Sequence, residues 1–503
     1  MTTTIPSRRT NSAPNPPAPY TGFDRLFIGG HWVTGRSEHK LRPIDPYRQT
    51  AIAEIPAADM RDIETAYQEA QRAQVAWAGA LPSERATVMR RGVEIMEARR
   101  EEIILWLIRE AGSPRAKAIV EWKAARDLME QVVSAPYRAE GRLLPSDIPG
   151  KESRVYRRPV GVVGVVSPWD FALHLANRSV APALALGNAV VLKPPSNTPI
   201  SGGLLLAKIY EEAGLPPGVL SVVAGPAREI GDAFVSHPIP RVITFTGSTK
   251  AGRHIGELAM SSPMMKRVSL ELGGNSPLVV LDDADLDLAV NAAVFGKFLN
   301  QGQICMGTNR LIVDERVHDE FVDRFVDRVR HLKIGDPNDP DTIIGPIINE
   351  AQLKSLLKHI QEARQEGARQ LLGGEPDGLM LPPHVFVDVN NQMSVAREEL
   401  FGPVAPIIKV RNEAEALQVA NDTEYGLSSA VFSRDEGRGL RFAMQMQVGM
   451  THINDQTVND LPNAPFGGEK NSGVGRFGGD WIIQEFTTDH WITVQHNPRT
   501  YLF

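Results

Sequence analysis

The chain has 503 residues, too many for one compact core, so two or three domains are expected. Hydrophobic residues make up 42% and charged residues 23%, the balance of an ordinary globular protein. A net charge of −6, with no excess of Lys and Arg, argues against a nucleic-acid binder, and one cysteine excludes an intrachain disulfide or a Cys-rich zinc site.

The N-terminus, MTTTIPSRRTNSAPNPPAPYTG, has no apolar run for a secretory signal, and its prolines prevent the amphipathic helix of a transit peptide. Residues 1–20 read as a mobile tail. No stretch approaches the roughly 18 apolar residues of a membrane span, so a cytoplasmic protein without a membrane partner is expected.

The first helical signal is LPSERATVMRRGVEIMEARREEIILWLIREAGSP, residues 81–114. Val88, Ile95, Met96, Ile103 and Leu107 recur at helical spacing; Ser83 can cap the start, and Gly112 and Pro114 stop the end. A second helix is expected over 115–136. From residue 158 the pattern turns to short β-branched runs, apolar on both faces, at 160–166, 188–193, 218–225, 241–247 and 268–274. Helices such as 199–214, ended by Gly214 and Pro216, lie between some of them, and this alternation builds a doubly wound parallel sheet. A second α/β set opens with SPLVVLDDADLDLAVNAAVFGKFL (276–299) and runs to about 460. The last apolar run, HWITVQH (490–496), has no neighbouring strand in sequence and is expected to pair with another subunit's sheet.

Several stretches carry chemistry. In RVITFTGSTKAG a strand runs into Thr246, Gly247 and Ser248 before a helix, which either aims free N–H groups at an anion or is a plain turn. Lys193 ends the strand NAVVLK at the crevice where such sheets bind ligands, or else is a solvated surface lysine. Glu271, in VSLELGGNSP, is either a lone carboxylate whose desolvation makes it a base or a buried partner of a Lys or Arg. Glu398 and Glu399, in REELFGPVAPI, offer acceptors for ribose hydroxyls or are helix-surface acids. NQGQICMGTNR holds Cys305, the sole cysteine, as an inert buried group or a nucleophile. The 12 histidines show no metal-binding spacing, so no metal is expected.

Seven motifs in order, SPWDF (167–171), LKPPSNTP (192–199), FTGSTKAG (245–252), LELGG (270–274), GQIC (302–305), EELFGP (398–403) and PFGGEKNSGVGR (465–476), carry a resemblance. From about residue 25 to the end the chain resembles the aldehyde dehydrogenase superfamily. The resemblance implies an α/β fold: a Rossmann-type cofactor domain (21–138 and 160–273), a catalytic domain (274–484) and oligomerisation segments (139–159 and 485–503). A homodimer or homotetramer follows, to which the tip Tyr501, Leu502 and Phe503 either docks or is a frayed end. Cys305 becomes the nucleophile, and Glu271 activates the water that hydrolyses a Cys305 thioester. Ser167, Trp169, Lys193, Ser196, Gly225, Gly231, Thr246, Gly247, Ser248, Glu399 and Phe401 would hold the dinucleotide. Phe171, Leu175, Leu299, Ile304, Met306, Val458 and Phe466 would line the aldehyde tunnel, with Arg178 as a polar contact.

GRLLPSDIPGKESRVYRRPVGVVGVVSPW and GRFGGDWIIQEFTTDHWITVQH are similar to the benzaldehyde- and vanillin-type dehydrogenases, which implies an aromatic aldehyde. The same sleeve suits a terpenoid or long-chain aldehyde. Ser196 stands where many NAD-preferring relatives carry Glu, so NAD⁺ is expected first and NADP⁺ is admitted. The departure from the family is Asp170, where Asn usually supplies an oxyanion donor. Losing one such donor costs about 100- to 1,000-fold in rate. Asp170 is a protonated donor, a bystander replaced by another donor, or the mark of a slow form; working activity is expected because the rest of the machinery is present. The rivals are an acyl transferase to coenzyme A, against which Glu271 argues, and a non-catalytic dinucleotide binder.

Overall fold

The computed structural model describes residues 17–503, so most of the expected tail, 1–16, lies outside the described residues. The end of that tail is docked: Arg99 lies over the Tyr20 ring at 3.6 Å and donates to the Ala18 carbonyl at 2.9 Å. The same arginine marks a correction to the long helix. Residues 81–114 fold as two helices, Pro82–Ala98 and Arg100–Ala111, parted at Arg99 (φ −106°, ψ 19°), whose guanidinium also binds Glu102 and Glu212. Ser83 is not the cap. Pro82 takes the first helical position, where its missing N–H costs nothing, and Glu84 accepts from the Leu81 N–H at 2.7 Å. Gly112 ends the second helix at φ 63°, and the next helix is Arg115–Val132.

Five parallel strands form the centre of an eight-stranded sheet: Val162–Val166, Ala189–Lys193, Leu220–Val222, Val242–Thr246 and Arg267–Glu271. In space they run third, second, first, fourth, fifth, the doubly wound order. Antiparallel edges come from Leu26–Ile28 with His31–Val33 on one side and Gly473–Val474 on the other. A seven-stranded sheet follows, ordered Arg369–Leu372, His384–Val389, Val404–Val410, Arg310–Asp314, Pro277–Val280, Ser428–Phe432 and Met450–Ile453. Its strand Pro277–Val280 is buried on both faces: Leu278 and Val280 enter one apolar cluster, Val279 the other. Period-two alternation makes that division.

The last strand, Thr487–Gln495, does not wait for another subunit. It pairs antiparallel with Lys151–Pro159 of its own chain, from Thr487 opposite Pro159 to Gln495 opposite Lys151, and Arg142–Leu144 completes a three-stranded sheet. No local sequence cue shows a pairing made across more than 300 residues. Among the described residues no helix is long and apolar enough to cross a membrane.

Candidate active site

The strand order of the first sheet reverses between Val162–Val166 and Val242–Thr246, which opens a crevice beyond the strands' carboxyl ends. The residues singled out in sequence collect along that edge. Ser167, Trp169 and Asp170 follow the first strand, Lys193 closes the second, and Gly225 follows the third. Gly231 lies in the helix Ala227–Ser236. Thr246 ends the fourth strand, and Ser248 caps the helix Thr249–Ser261, its Oγ accepting from the Ala251 N–H at 3.4 Å. Glu271 ends the fifth.

Cys305 arrives from the second sheet, on the loop between Leu286–Phe298 and Arg310–Asp314. Three successive left-handed residues, Asn300, Gln301 and Gly302 (φ 52°, 47° and 76°), turn this loop toward the crevice. For the two non-glycine residues that conformation costs on the order of 1 kcal/mol each or more. Side-chain bonds hold it: Asn300 Nδ2 donates to the Gln303 carbonyl at 3.0 Å, and Gln301 Nε2 to the Pro346 carbonyl at 2.8 Å. The two glycines after Glu271 give the approach room. A Cβ on Gly274 would lie 2.4 Å from the Cys305 carbonyl oxygen, and one on Gly273 would lie 2.4 Å from Glu399 Oε2.

The thiol donates to Glu271 Oε1 at 3.2 Å, and Arg178 Nη2 donates to Glu271 Oε2 at 2.7 Å. Glu271 is therefore not the lone carboxylate of the first reading; a fully buried arginine balances it. Cys305 keeps 9% exposure, so the residue is not sealed. Burial, then the charges of Glu271 and Asp170, push its thiol well above the usual value, while Arg178 pulls it back. The resting group is thus a thiol with its proton acceptor already in place.

Asp170 is 4% exposed, and burial followed by the Glu271 charge pushes its carboxyl up to about 7. Its main chain is clamped: Lys117 Nζ and Asn300 Nδ2 both donate to the Asp170 carbonyl. Lys117 also bonds Glu121 at 2.6 Å, and Glu121 accepts from the Leu173 N–H at 2.8 Å at the start of the helix Ala172–Ala185.

The crevice residues fit a dinucleotide. Lys193 is buried and, among the described residues, makes a single long contact, to the Pro194 carbonyl at 3.4 Å, which leaves ammonium protons for hydroxyl groups; burial lowers it to about 8. Glu399 accepts from the Gly274 N–H at 3.0 Å and pairs with no cation among the described residues, and burial raises it to about 8. Its neighbour Glu398 is exposed. Trp169 and Phe401 meet edge to face at 5.3 Å, and Ser196 is half-buried nearby in sequence to Lys193. Phe171, Leu175, Ile304, Cys305, Met306 and Phe466 belong to one apolar cluster, with Leu299, Phe401 and Val458 packed against it. Arg178 is tied to the Cys305–Glu271 pair through Glu271, its second arm reaches Asp460 at 3.3 Å, and its guanidinium lies over the rings of Phe466 and Phe477.

Sequence reading missed Lys117, Glu121, His174, Asn300, Gln301 and Asp460. Lys117 and Glu121 left a signal, a charge pair at i and i+4 on a helix face whose other members, Ala118, Trp122 and Ala125, are apolar. Asp460 left none, since it lies on an irregular loop.

Residues 32–492 match the aldehyde dehydrogenase family. The chain is 51% identical over 482 residues to a vanillin dehydrogenase of Corynebacterium glutamicum, covering 95% of this chain and 100% of that one. The crystal structure of a NAD-dependent benzaldehyde dehydrogenase from Corynebacterium glutamicum superposes with a TM-score of 0.89 at 48% identity, over 97% of this chain and 99% of that one. That of a salicylaldehyde dehydrogenase from Pseudomonas putida G7, complexed with salicylaldehyde, gives 0.92 at 38% identity, over 95% and 99%. A thiol and its base meeting at the edge of a doubly wound sheet, in a chain matched along nearly its whole length, leave one assignment: this protein belongs to the aldehyde dehydrogenase family.

Proposed function

We propose that the protein oxidises aromatic aldehydes to carboxylic acids with NAD⁺, through a covalent adduct on Cys305. The observation that carries this is the 3.2 Å contact between the Cys305 thiol and Glu271, set at the carboxyl edge of the doubly wound sheet and beside apolar side chains that include Phe171, Ile304, Met306 and Phe466. Lys193 and Glu399 would hold the ribose hydroxyls, Gly247 and Ser248 would lie on the pyrophosphate side, and Ser167, Trp169, Ser196, Gly225, Gly231, Thr246 and Phe401 would frame the rest of the dinucleotide. When bound there, the nicotinamide supplies the hydride acceptor.

Glu271 Oε1 takes the thiol proton as sulfur bonds to the aldehyde carbon. The oxygen of the resulting thiohemiacetal accepts from the Cys305 N–H and from the Asp170 carboxyl in its protonated form, which about half the molecules carry at a pH near 7. Oxidation of the adduct leaves a thioester on Cys305. Glu271, its proton released, then takes one from water, whose oxygen attacks the thioester and frees the acid. Phe171, Leu175, Leu299, Ile304, Met306, Val458 and Phe466 make the aromatic and aliphatic sleeve, and relatives named for vanillin, benzaldehyde and salicylaldehyde support a flat ring in it. NAD-dependence in a relative favours NAD⁺, and the uncharged Ser196 leaves NADP⁺ usable.

The first sheet forms the cofactor domain and the second the catalytic domain of a cytoplasmic homo-oligomer. The small sheet of 142–159 and 487–495 supports the association, since Leu143 is 76% and Trp491 65% exposed on it. An aldehyde panel read at 340 nm tests the reading. Benzaldehyde and vanillin should exceed straight-chain aldehydes by about tenfold or more in kcat/KM, with free acid as product. A straight-chain preference, or an acyl-coenzyme A product, overturns it.

A further inference from the structure

The contacts that end on the sulfur begin on the far side of the site. His174 Nε2 donates to Asp460 Oδ2 at 2.8 Å, and the same oxygen accepts from Arg178 Nη1 at 3.3 Å. The other arm of Arg178 holds Glu271 at 2.7 Å, and Glu271 gives its remaining oxygen to the thiol. His174 and Arg178 stand four residues apart on one face of Ala172–Ala185, while Asp460 comes from the loop after Met450–Ile453. The side chains of Arg178, His174 and Asp460 are 2%, 7% and 15% exposed.

One cation is thus divided between two carboxylates. A guanidinium prefers two parallel bonds to one carboxylate, and here it makes one bond to each. Rings of Phe466 and Phe477, 4.1 and 4.7 Å from the guanidinium carbon, bracket that halfway position. Burial pushes the Asp460 carboxyl up, but His174 and Arg178 outweigh it and hold it below the usual range, so it competes as an anion. Arginine does not give up its proton, so the chain is no proton wire; it distributes a fixed charge. Nor does it serve stability well: buried ion pairs about break even against apolar packing, and Arg178 Nε and His174 Nδ1 lack partners among the described residues.

We propose that Asp460 and His174 are positioning residues of the oxidation, which act through Arg178 and set how much of its charge falls on Glu271. Too large a share leaves Glu271 a poor base; too small a share leaves it unanchored at the sulfur. His174 moderates Asp460 by occupying the oxygen that faces the arginine. The proposal rests on Cys305 and Glu271 being nucleophile and base.

The single cysteine gives a readout apart from turnover, the rate at which iodoacetamide alkylates Cys305 in the full chain at one neutral pH. Asp460→Asn removes the competing anion, so Arg178 closes on Glu271 and alkylation slows about tenfold, the effect of one unit in basicity. His174→Leu frees Asp460 to draw Arg178 away, so alkylation speeds up by a similar factor. Both variants lower kcat, with the KM for NAD⁺ unchanged. Opposite signs in two variants of one network are not what loosened packing produces, since unfolding exposes the thiol in both. Changes in the same direction, or rates within about twofold of the natural chain, overturn the proposal. If alkylation of the natural chain leaves oxidation intact, the reading it rests on fails instead.

Discussion

Asp170→Asn separates an acid from an amide at the point where, in the proposed mechanism, the aldehyde oxygen gathers charge. The backbone there is fixed by Lys117 and Asn300, so the variant keeps its place and changes only what the side chain donates. Asparagine donates at every pH. The natural carboxyl donates only while protonated, and burial followed by the Glu271 charge puts its midpoint at about 7. At pH 9, two units higher, about 1% of the molecules hold that proton, a loss of about 100-fold or roughly 2.7 kcal/mol. This approaches the cost of deleting an oxyanion donor outright, roughly 3–4 kcal/mol. The assay is kcat/KM for benzaldehyde from pH 5.5 to 9, taken as the ratio of variant to natural chain. The Asp170 charge also holds the Cys305 thiol up, and the variant loses that charge, so this second effect adds to the rise of the ratio above pH 7. The ratio should be flat below about pH 6 and climb toward tenfold per unit above 7. A ratio that is large and constant across the range refutes the reasoning, because Asp170 is then a defect at all pH. A ratio near one throughout refutes it too, because the donor is then elsewhere.

The same carboxyl gives a stability prediction of definite sign. Its pKa rises from 3.8 unfolded to about 7 folded, so the unfolded chain sheds the proton first and stability falls as pH rises from about 4 to 7. Asp170→Asn removes that loss, and its advantage in denaturant titrations should grow by up to about 4 kcal/mol over that window and then stay constant. Glu271→Gln should slow formation of the first NADH per chain, since the thiol loses its proton acceptor, and then stall after about one, since the thioester loses its base; rapid-mixing absorbance would show both. Ser196→Glu should raise the KM for NADP⁺ about tenfold or more while sparing NAD⁺, by repulsion of the 2′-phosphate. Trp491→Asp places a charge on a side chain that is 65% exposed on the small sheet, and should shift the protein to a smaller species by light scattering without unfolding it.

The motifs made the cofactor edge legible because each is a local fact: a β-branched run, then a turn residue, then a helix start. Strand identity and parallel pairing follow from such runs, and the structure has both; the burial of Lys193 is the fold's doing, since its sequence also allowed a solvated surface lysine. Periodicity was a poorer guide at Arg99, where an unbroken apolar face hid the break; the arginine leaves the helix to bind Glu212 and Tyr20, which lie far away in sequence. It failed likewise for Thr487–Gln495, whose partner strand precedes it by more than 300 residues.

By itself, then, the sequence determined which groups are candidates for the chemistry: a lone thiol, one carboxylate at a strand end, glycines that let them approach, and an acid where an amide is usual. Only the tertiary structure decided the electrical setting of those atoms. Arg178 could be read as a tunnel contact until the fold brought Glu271 and Asp460 to either side of it. The reason is physical: chain connectivity sets bonding and local conformation over a few residues, whereas a buried charge responds to every group within several ångströms, and those neighbours come from segments that only folding assembles.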